Sequence, residues 1–251
     1  DEVMTGEPRR VGVAGAGVMG SGIAQVLAVA GHDVVCTDLA ESSLDAAREA
    51  VETGRFGVRS AVERGKLTTY QADRALQRLT FTTDTDALTD RYLVIEAIPE
   101  LLDLKVRFWR ELDAIADRGT IFASNSSGFP VVAMAAATDR PDRFVGWHWA
   151  SPAPVMRLAE IVRAQGTSDE TVDAVVAMAE GAGKNPVVVG DTDTRWGYVT
   201  NRVYFAMIRE AMAVVDEGIA ERDQVDQLMV DCFRWPAGPF GMTRGATSGW
   251  S

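Results

Sequence analysis

Near the start of the chain, three closely spaced glycines separate an apolar run from a helical pattern. The segment VGVAGAGVMGSGIA contains them as Gly15, Gly17 and Gly20. A G-x-G-x-x-G spacing between a strand and a helix indicates a tight turn and close helix–strand packing, as in the first βα unit of an open parallel sheet. The segment therefore restricts the chain to an α/β fold.

The same unit is suited to bind a dinucleotide. Gly17 would let a pyrophosphate approach the backbone at the helix N-terminus, where N–H groups and the helix dipole favour phosphate. Met19 lies in the same motif, and we assign it to the same site. Asp38 ends the next predicted strand, where a carboxylate would bind both ribose hydroxyls and repel a 2′-phosphate. We therefore predict NAD rather than NADP as cofactor; the alternative is a glycine turn that serves packing alone.

After this unit, short β-branched runs alternate with helical patterns, and beyond residue 191 the pattern is helical. This order is typical of a doubly wound Rossmann-type sheet followed by a small all-helical domain, that is, an α/β fold. We predict the first domain over residues 1–191 and the second over 192–251. Gly31, Gly65 and Gly119 stand where helices would end with a left-handed residue.

The individual elements follow from the same patterns. The predicted strands are Arg10–Gly15, Val34–Thr37, Tyr92–Ala97, Ile121–Ser124, Phe144–Trp149, Met156–Arg163 and Pro186–Val189. The predicted helices are Gly17–Ala30, Ser42–Arg64, Tyr70–Arg78, Leu102–Asp117, Val131–Ala137, Asp169–Glu180, Gly197–Gly218 and Arg222–Phe233.

Composition argues against several classes of partner. The 251 residues, 47% of them apolar, can bury a full core, and their net charge of −11 without an evident basic cluster disfavours nucleic acid and anionic membranes as partners. No apolar run approaches the roughly 20 residues that span a bilayer, and the polar first residues lack the apolar part of a signal peptide. We therefore expect a cytoplasmic protein. Cys36 and Cys232 lack metal-ligand spacing, which predicts reduced thiols and no metal site.

Charged residues surround the end of the predicted strand Tyr92–Ala97. The segment VIEAIPELLDLK places Glu96 and Glu100 near the strand end and Lys105 in the next helix. Open α/β sheets bind ligands at the carboxyl ends of their strands, but isolated charged residues are mostly solvated. The pattern leaves both interpretations open.

The two histidines differ in their surroundings. His32 follows a predicted helix end, where we expect a solvated imidazole. His148 ends an apolar strand in RFVGWHWASPAP, and Glu160 lies on the next extended segment. The prolines between them favour a reversal that would bring imidazole and carboxylate together, so that the carboxylate fixes the tautomer and the other ring nitrogen moves a proton. The alternative is a packed histidine with an exposed glutamate.

Several long motifs, in one order, resemble the 3-hydroxyacyl-CoA dehydrogenases, including the short-chain 3-hydroxybutyryl-CoA dehydrogenases. The resemblance runs from Val11 to about Phe240. It is carried by the segments VGVAGAGVMGSGIAQVLAVAGHDVV, VIEAIPELLDLK, IFASNSSG, GWHWASPAPVMRLAEIV, GYVTNRVYFAMIREAMAVVDEGIA and WPAGPF.

The resemblance implies hydride transfer between the 3-hydroxyl carbon of an acyl-CoA and NAD. His148 would be the general base and Glu160 its orienting partner. Ser127 would hydrogen-bond the substrate's 3-oxygen or the nicotinamide region, and Asn201 would help close the site.

The resemblance also implies further contacts with the cofactor. Glu100 and Lys105 would contact the nicotinamide-side ribose. Asn125, in IFASNSSG, belongs to the same cofactor site, as does Ser151.

The chain departs from the family pattern at three places. HWASP replaces the family's HFFNP, so Ser151 stands in place of a cofactor-contacting asparagine. GDTDTRWGYVTN replaces the short DTPGF link and adds Trp196, from which we expect a smaller or differently shaped acyl group. The chain ends soon after WPAGPF, from which we expect a shortened second domain and either a different dimer or a more open cleft.

The helical tail favours association of two subunits. Apolar residues cover much of the circumference of the predicted helix between residues 198 and 218, so the helix needs partners on several sides. A two-fold homodimer is the commonest way to supply one. These residues are Tyr198, Val199, Tyr204, Phe205, Ile208, Met212 and Val215.

Three functions stay open at this level. The first is a dehydrogenase acting on a short 3-hydroxyacyl-CoA. The second is the same chemistry on a carrier-protein thioester or a free 3-hydroxy acid, and the third is a non-catalytic NAD-binding protein. Arg55, Arg59, Arg64 and Lys66 could bind the CoA phosphates; alternatively, they form a solvated helix face.

Overall fold

In the computed structural model of the chain, which describes residues 7–192 and 195–248, the strands form one mixed sheet. The strands are β1 (Arg10–Ala14), β2 (Asp33–Thr37), β3 (Leu79–Thr82), β4 (Leu93–Glu96), β5 (Ile121–Ser124), β6 (Phe144–Trp149), β7 (Leu158–Arg163) and β8 (Asn185–Gly190). Their order across the sheet is β3-β2-β1-β4-β5-β6-β7-β8. Neighbouring strands are parallel except β6 and β7, which are antiparallel.

The helices divide between two compact units, one ending at Trp196 and the other beginning at Gly197. The first unit contains α1 (Val18–Val29), α2 (Glu41–Glu52), α3 (Val58–Glu63), α4 (Thr69–Gln77), α5 (Leu102–Ile115), α6 (Val131–Ala135) and α7 (Asp169–Gly181). The second contains α8 (Thr200–Asp216), α9 (Arg222–Phe233) and α10 (Pro239–Ser248).

The central strands are buried along their whole length. Every residue of β4, β5 and β6 is buried, because helices cover a parallel sheet on both faces. The carboxyl ends of β1, β4, β5 and β6 therefore meet at one edge of the sheet. That edge carries the glycine turn, Glu96, the loop after Ser124 and His148.

Two sequence predictions fail locally, and two elements were not predicted. The predicted helix Ser42–Arg64 is two helices, because the chain folds back at Gly54, where a Cβ atom would lie 2.5 Å from the Ala50 carbonyl oxygen. The short edge strand β3 and the helix α10 are additions to the prediction. Gly119 does not adopt a positive φ, whereas Gly31 and Gly65 do, at 101° and 66°.

The link toward the second unit is fixed to the first at Asp191. Its carboxylate accepts hydrogen bonds from the backbone N–H groups of Val131 and Val132, at 3.0 and 2.7 Å. These are the first two residues of α6, so Asp191 caps that helix. The residue at which the sequence predicts the domain boundary thus packs with the first unit.

The second unit is a small helical cluster. Ala211, Val225 and Phe240 form its buried centre, one from each helix. The carboxylate of Asp226 accepts hydrogen bonds from the N–H groups of Phe240 and Gly241, at 2.7 and 2.8 Å, and so caps α10. None of the helices described in either unit is long and apolar enough to cross a membrane.

Arg140, which precedes β6, joins β6 to α5. Its Nε donates to the Asp113 carboxylate at 2.5 Å, and its Nη atoms donate to the carbonyls of Asp117 and Ala116 at the end of α5. The guanidinium also lies 4.4 Å from the ring centroid of Phe122. Only 3% of Arg140 is exposed, so this is a buried ion pair whose two partners depend on each other.

We expect Arg140→Met to lower the free energy of unfolding by about 3–5 kcal/mol, because it leaves the Asp113 carboxylate buried without its cation. Urea denaturation measures the difference. Arg143→Met is the matched control, since Arg143 donates to the Gly119 carbonyl from a half-buried position, and it should stay within about 1 kcal/mol of wild type. Equal effects of the two substitutions would contradict the assignment.

Candidate active site

The glycine turn is closed on its inner side and open on its outer side. Gly15 has φ +97°, and a Cβ atom at Gly20 would lie 1.8 Å from the Gly15 carbonyl oxygen. A Cβ atom at Gly17 would meet nothing within 4 Å. Gly17 is also the N-cap of α1 and provides no side-chain cap, so the first N–H groups of α1 face this open side. The turn thus offers a phosphate the cradle that NAD requires.

Asp38 connects the end of β2 to this turn. Its Oδ2 accepts a hydrogen bond from the backbone N–H of Ala16 at 2.9 Å, and its Oδ1 accepts one from Ala40 at 3.1 Å. Carboxylate oxygens have further lone pairs, so the same group can still accept from ribose hydroxyls. Met19 is the second residue of α1 and lies half-buried against the main core.

A buried charge network lies beside the turn, at the end of β4. Lys105 is 1% exposed, and its Nζ contacts the Glu96 carboxylate, the Glu100 carboxylate at 3.1 Å and the Ile98 carbonyl at 3.2 Å. The Ser124 hydroxyl donates to the other Glu96 oxygen at 2.8 Å. Burial raises the pKa of Glu96, while Lys105 and Ser124 counteract the shift.

This network changes the interpretation of Lys105. An ammonium has three donors, and three protein acceptors already surround this one. The geometry therefore favours Lys105 acting on a cofactor through Glu100, which is the more exposed of the two. Glu96, for which the sequence pattern left ligand binding and solvation both open, is fully buried and holds Lys105 in place.

Glu100 and Asn125 organise the loop after β5. One oxygen of Glu100 accepts from the Ser126 hydroxyl at 2.6 Å and from the backbone N–H of Ser127 at 2.9 Å. The side-chain carbonyl of Asn125 accepts from the backbone N–H of Trp149 at 2.9 Å. The loop that carries Ser127 is thus bonded both to the β4 side and to the end of β6.

The predicted contact between His148 and Glu160 is confirmed. The two residues pair directly across the antiparallel strands β6 and β7, and His148 Nδ1 lies 2.6 Å from Glu160 Oε2. Both are buried, with 6% and 3% exposed. Because a carboxylate can only accept, Nδ1 carries the hydrogen, and Nε2 is the ring nitrogen that would exchange a proton.

Two predicted site residues, Ser151 and Asn201, and the second histidine, His32, complete the comparison with the sequence predictions. Ser151 is exposed in the connection between β6 and β7. Asn201 belongs to the second unit, in the first turn of α8.

The sequence predicts a solvated His32, but only 6% of this residue is exposed. Its Nδ1 accepts a hydrogen bond from the backbone N–H of Arg9. Burial lowers the pKa of His32, and the charges of Arg9 and Arg78 add to the effect.

A basic cleft of about 1040 Å³ lies in the first unit, between α1, the α3–α4 region, the connection before β7 and the end of α7. Cationic side chains line it, and no Asp or Glu is among its lining residues. The cations are Arg55, Arg64, Lys66, Arg74, Arg78, Arg157 and Lys184.

This cleft corrects the sequence-based view that the chain has no basic cluster. The cluster was not evident because its members come from segments far apart in the chain. Of the four predicted phosphate-binding cations, only Arg59 does not line the cleft, because its guanidinium pairs with Asp73 at 2.6 Å and with Glu52 at 3.6 Å. Among the described residues, no three His, Cys, Asp or Glu side chains form a group that could hold a metal ion.

Comparison with known proteins identifies the family of the chain. The model of the 3-hydroxyacyl-CoA dehydrogenase NAD binding domain matches residues 10–192, and the model of the C-terminal domain matches residues 197–250. The chain belongs to the 3-hydroxyacyl-CoA dehydrogenase family. A relative from Deinococcus radiodurans, named probable 3-hydroxybutyryl-CoA dehydrogenase, is 40% identical over a region covering 92% of this chain and 80% of that protein.

Solved structures of 3-hydroxyacyl-CoA dehydrogenases and other proteins share the fold. The (S)-3-hydroxybutyryl-CoA dehydrogenase PaaH1 from Ralstonia eutropha has a TM-score of 0.87 at 38% identity, covering 93% of this chain and 80% of that one. A diketoreductase, described as acting on dicarbonyl compounds, has a TM-score of 0.83 at 32% identity, covering 94% and 82%.

In this 3-hydroxyacyl-CoA dehydrogenase family member, two glycine substitutions should separate folding from cofactor binding. Gly17→Ala places a methyl group in open space, so stability should stay within about 1 kcal/mol of wild type while NADH binding weakens at least about tenfold. Gly20→Ala, which meets backbone, should destabilise the protein by about 2 kcal/mol or more. Urea denaturation and NADH fluorescence titration measure the two effects. Wild-type NADH affinity in Gly17→Ala would contradict the site.

Proposed function

We propose that the protein is an NAD-dependent dehydrogenase that interconverts a short 3-hydroxyacyl-CoA and its 3-oxoacyl-CoA. The observation that carries the proposal is the 2.6 Å contact between His148 and Glu160 at the strand ends of an NAD binding unit. Family membership supports the same activity.

His148 moves the proton in this proposal. In the oxidation direction its Nε2 takes the proton of the 3-hydroxyl as the hydride leaves the same carbon. Glu160 keeps the ring in the required tautomer and stabilises the imidazolium that forms. Bound NAD supplies the hydride acceptor at its nicotinamide. In the reduction direction the imidazolium returns the proton to the 3-oxygen.

Other residues orient the reactants. We assign the Ser127 hydroxyl to the substrate's 3-oxygen or the nicotinamide region, supported by its place on the loop that Glu100 and Asn125 hold. Asn201, in the second unit, would help close the site, as the family resemblance implies.

Around the cofactor, the glycine turn and Asp38 would hold the adenosine and pyrophosphate half. Glu100, with Lys105 behind it, would contact the nicotinamide-side ribose, and Asn125 and Ser151 would line the same side.

The basic cleft favours CoA as the carrier. CoA carries a diphosphate and a 3′-phosphate. Although the chain has a net charge of −11, the residues that line this cleft include seven cationic side chains and no carboxylate. A free short acid has only one carboxylate, which a single cation can pair, so it does not need a surface of seven cations. The similarity to a diketoreductase supports a second candidate, in which the same His–Glu pair acts on a free dicarbonyl compound.

Exposed apolar residues at α8 bear on association. Val199, Val203, Phe205 and Met212 are exposed apolar residues around α8, which supports a homodimer. A cytoplasmic location, and the expectation of no nucleic-acid or membrane partner, stay predictions from the sequence.

We expect His148→Ala to lower kcat for NADH oxidation with acetoacetyl-CoA by about 10²–10⁴-fold, because the proton donor is lost. Glu160→Gln should lower kcat by about 10²-fold or more, because an amide can stabilise the wrong tautomer. NADH binding, followed by fluorescence, should persist in both variants. His32→Ala is the control that removes the other histidine, and its kcat should stay near that of wild type. A His148→Ala variant with wild-type kcat would overturn the mechanism.

A charge test should identify the carrier. We expect Arg64→Gln combined with Lys66→Gln to raise KM for acetoacetyl-CoA by about tenfold at low salt, with a smaller effect at high salt. Arg59→Gln removes a cation from the same helical region but outside the cleft, and KM should not change.

Free acetoacetate or a free diketone should show no such dependence on Arg64 and Lys66. A wild type that is inactive on acetoacetyl-CoA but reduces a free diketone would favour the second candidate.

A further inference from the structure

Lys184 reaches the interior through the ending of α7. Gly183 has φ +73°, and its N–H donates to the Glu180 carbonyl at 2.9 Å. The N–H of Lys184 donates to the Ala179 carbonyl at 2.9 Å. This pair of bonds is a Schellman ending, which reverses the chain after the helix. Lys184 is the third residue after the end of α7, and only 6% of the residue is exposed.

The ammonium of Lys184 holds the connection between β6 and β7. Nζ donates to the carbonyls of Ala153 at 2.6 Å and Met156 at 2.8 Å, and it lies 5.1 Å from the ring centroid of Trp149. A single cation therefore contacts the end of β6 and two points of the connection. Inside the connection, the N–H groups of Val155 and Met156 both donate to the Pro152 carbonyl, which makes it a compact turn.

This turn connects the two proposed catalytic partners. His148 immediately precedes Trp149 on β6, and Glu160 lies near the start of β7. The N–H of Trp149 also bonds to Asn125, so the loop carrying Ser127 and the turn carrying Ser151 meet at one residue. A shift of the turn would move the strand end that bears His148.

We propose that Lys184 is a positioning residue: by holding the turn between β6 and β7, it keeps His148 and Ser151 in their reactive places. The proposal rests on the proposed dehydrogenase function. The competing view is that Lys184 serves only as one more cation of the basic cleft, whose lining it shares.

The protonation state of Lys184 can be followed by tryptophan fluorescence. Burial and, to a lesser degree, Arg157 lower its pKa to about 8. Five further cations line the cleft, and no carboxylate lines it. These cations are Arg55, Arg64, Lys66, Arg74 and Arg78. Loss of the proton between pH 7 and 9 removes a charge close to the Trp149 indole, so tryptophan emission should change over that range.

The test compares Lys184→Met with Arg157→Met, because both remove one cation from the cleft wall. Arg157 is exposed and donates to the Asn185 side chain at 2.9 Å, with no bond to the turn among those described. With acetoacetyl-CoA and NADH, Lys184→Met should lower kcat by about ten- to hundredfold, with KM within about threefold of wild type. Arg157→Met should act mainly on KM. Lys184→Arg, which keeps the charge and donors, should recover part of kcat.

Emission is measured without substrate, so it is independent of the reaction. Wild type should show one transition near pH 8, which should be lost in Lys184→Met and in Trp149→Phe. A Lys184→Met variant with wild-type kcat and a raised KM would overturn the proposal in favour of the cleft-cation view.

If Lys184→Met does not fold, Lys184→Arg decides, because it keeps the cleft cation but changes the geometry of the bonds to Ala153 and Met156: a wild-type kcat with a raised KM would overturn the proposal. A wild type that shows the transition but does not reduce acetoacetyl-CoA would instead refute the proposed function.

Discussion

The antiparallel pairing of β7 with β6 is the constraint on which the proposed active site depends. Residues directly opposite in such a pair have their Cβ atoms about 4.5–5.5 Å apart, so register alone places His148 against Glu160. A slip of one residue would turn the two side chains to opposite faces. Trp147 and Trp149 resist that slip, because they lie buried on the other face of β6 with ring centroids 4.9 Å apart.

The other site groups follow from the parallel part of the sheet. Because β1, β4, β5 and β6 end at the same edge, the glycine turn, Glu96, the serine-rich loop and His148 converge without any special contact. The cost of burying Lys105 and Glu96 is offset by their mutual attraction and by hydrogen bonds to Ser124 and Ile98. The result is an ordered loop whose exposed member, Glu100, faces outward with its position already fixed.

The sequence predicts most of this arrangement where the signal is periodic or local. The strand Phe144–Trp149 and the helix Arg222–Phe233 have the predicted bounds, because their apolar patterns are continuous. The reversal between His148 and Glu160 was also predictable, since two prolines and short spacing mark it.

Features set by tertiary packing were not predictable. The break at Gly54 depends on the chain folding back over the end of α2, and the burial of His32 depends on the Arg9 backbone. The cations of the basic cleft come from positions between 55 and 184, so no short stretch of the sequence contains them. Lys184 carries no signal in the sequence beyond following a glycine, and its contacts with Ala153 and Met156 appear only when α7 is placed beside the turn.

The turn between β6 and β7 also belongs to the wall of the basic cleft. Pro154 and Val155 line the cleft, while Lys184 holds the same turn from inside. A ligand whose phosphates bind these cations therefore contacts the segment that follows His148. Binding energy gained there holds the carrier against the turn and lowers KM, whereas the bonds from Lys184 to the turn are present before any substrate binds. The carrier would therefore support the turn as well as anchor the substrate. With a free acid the cleft would stay empty, and Lys184 alone would hold the turn.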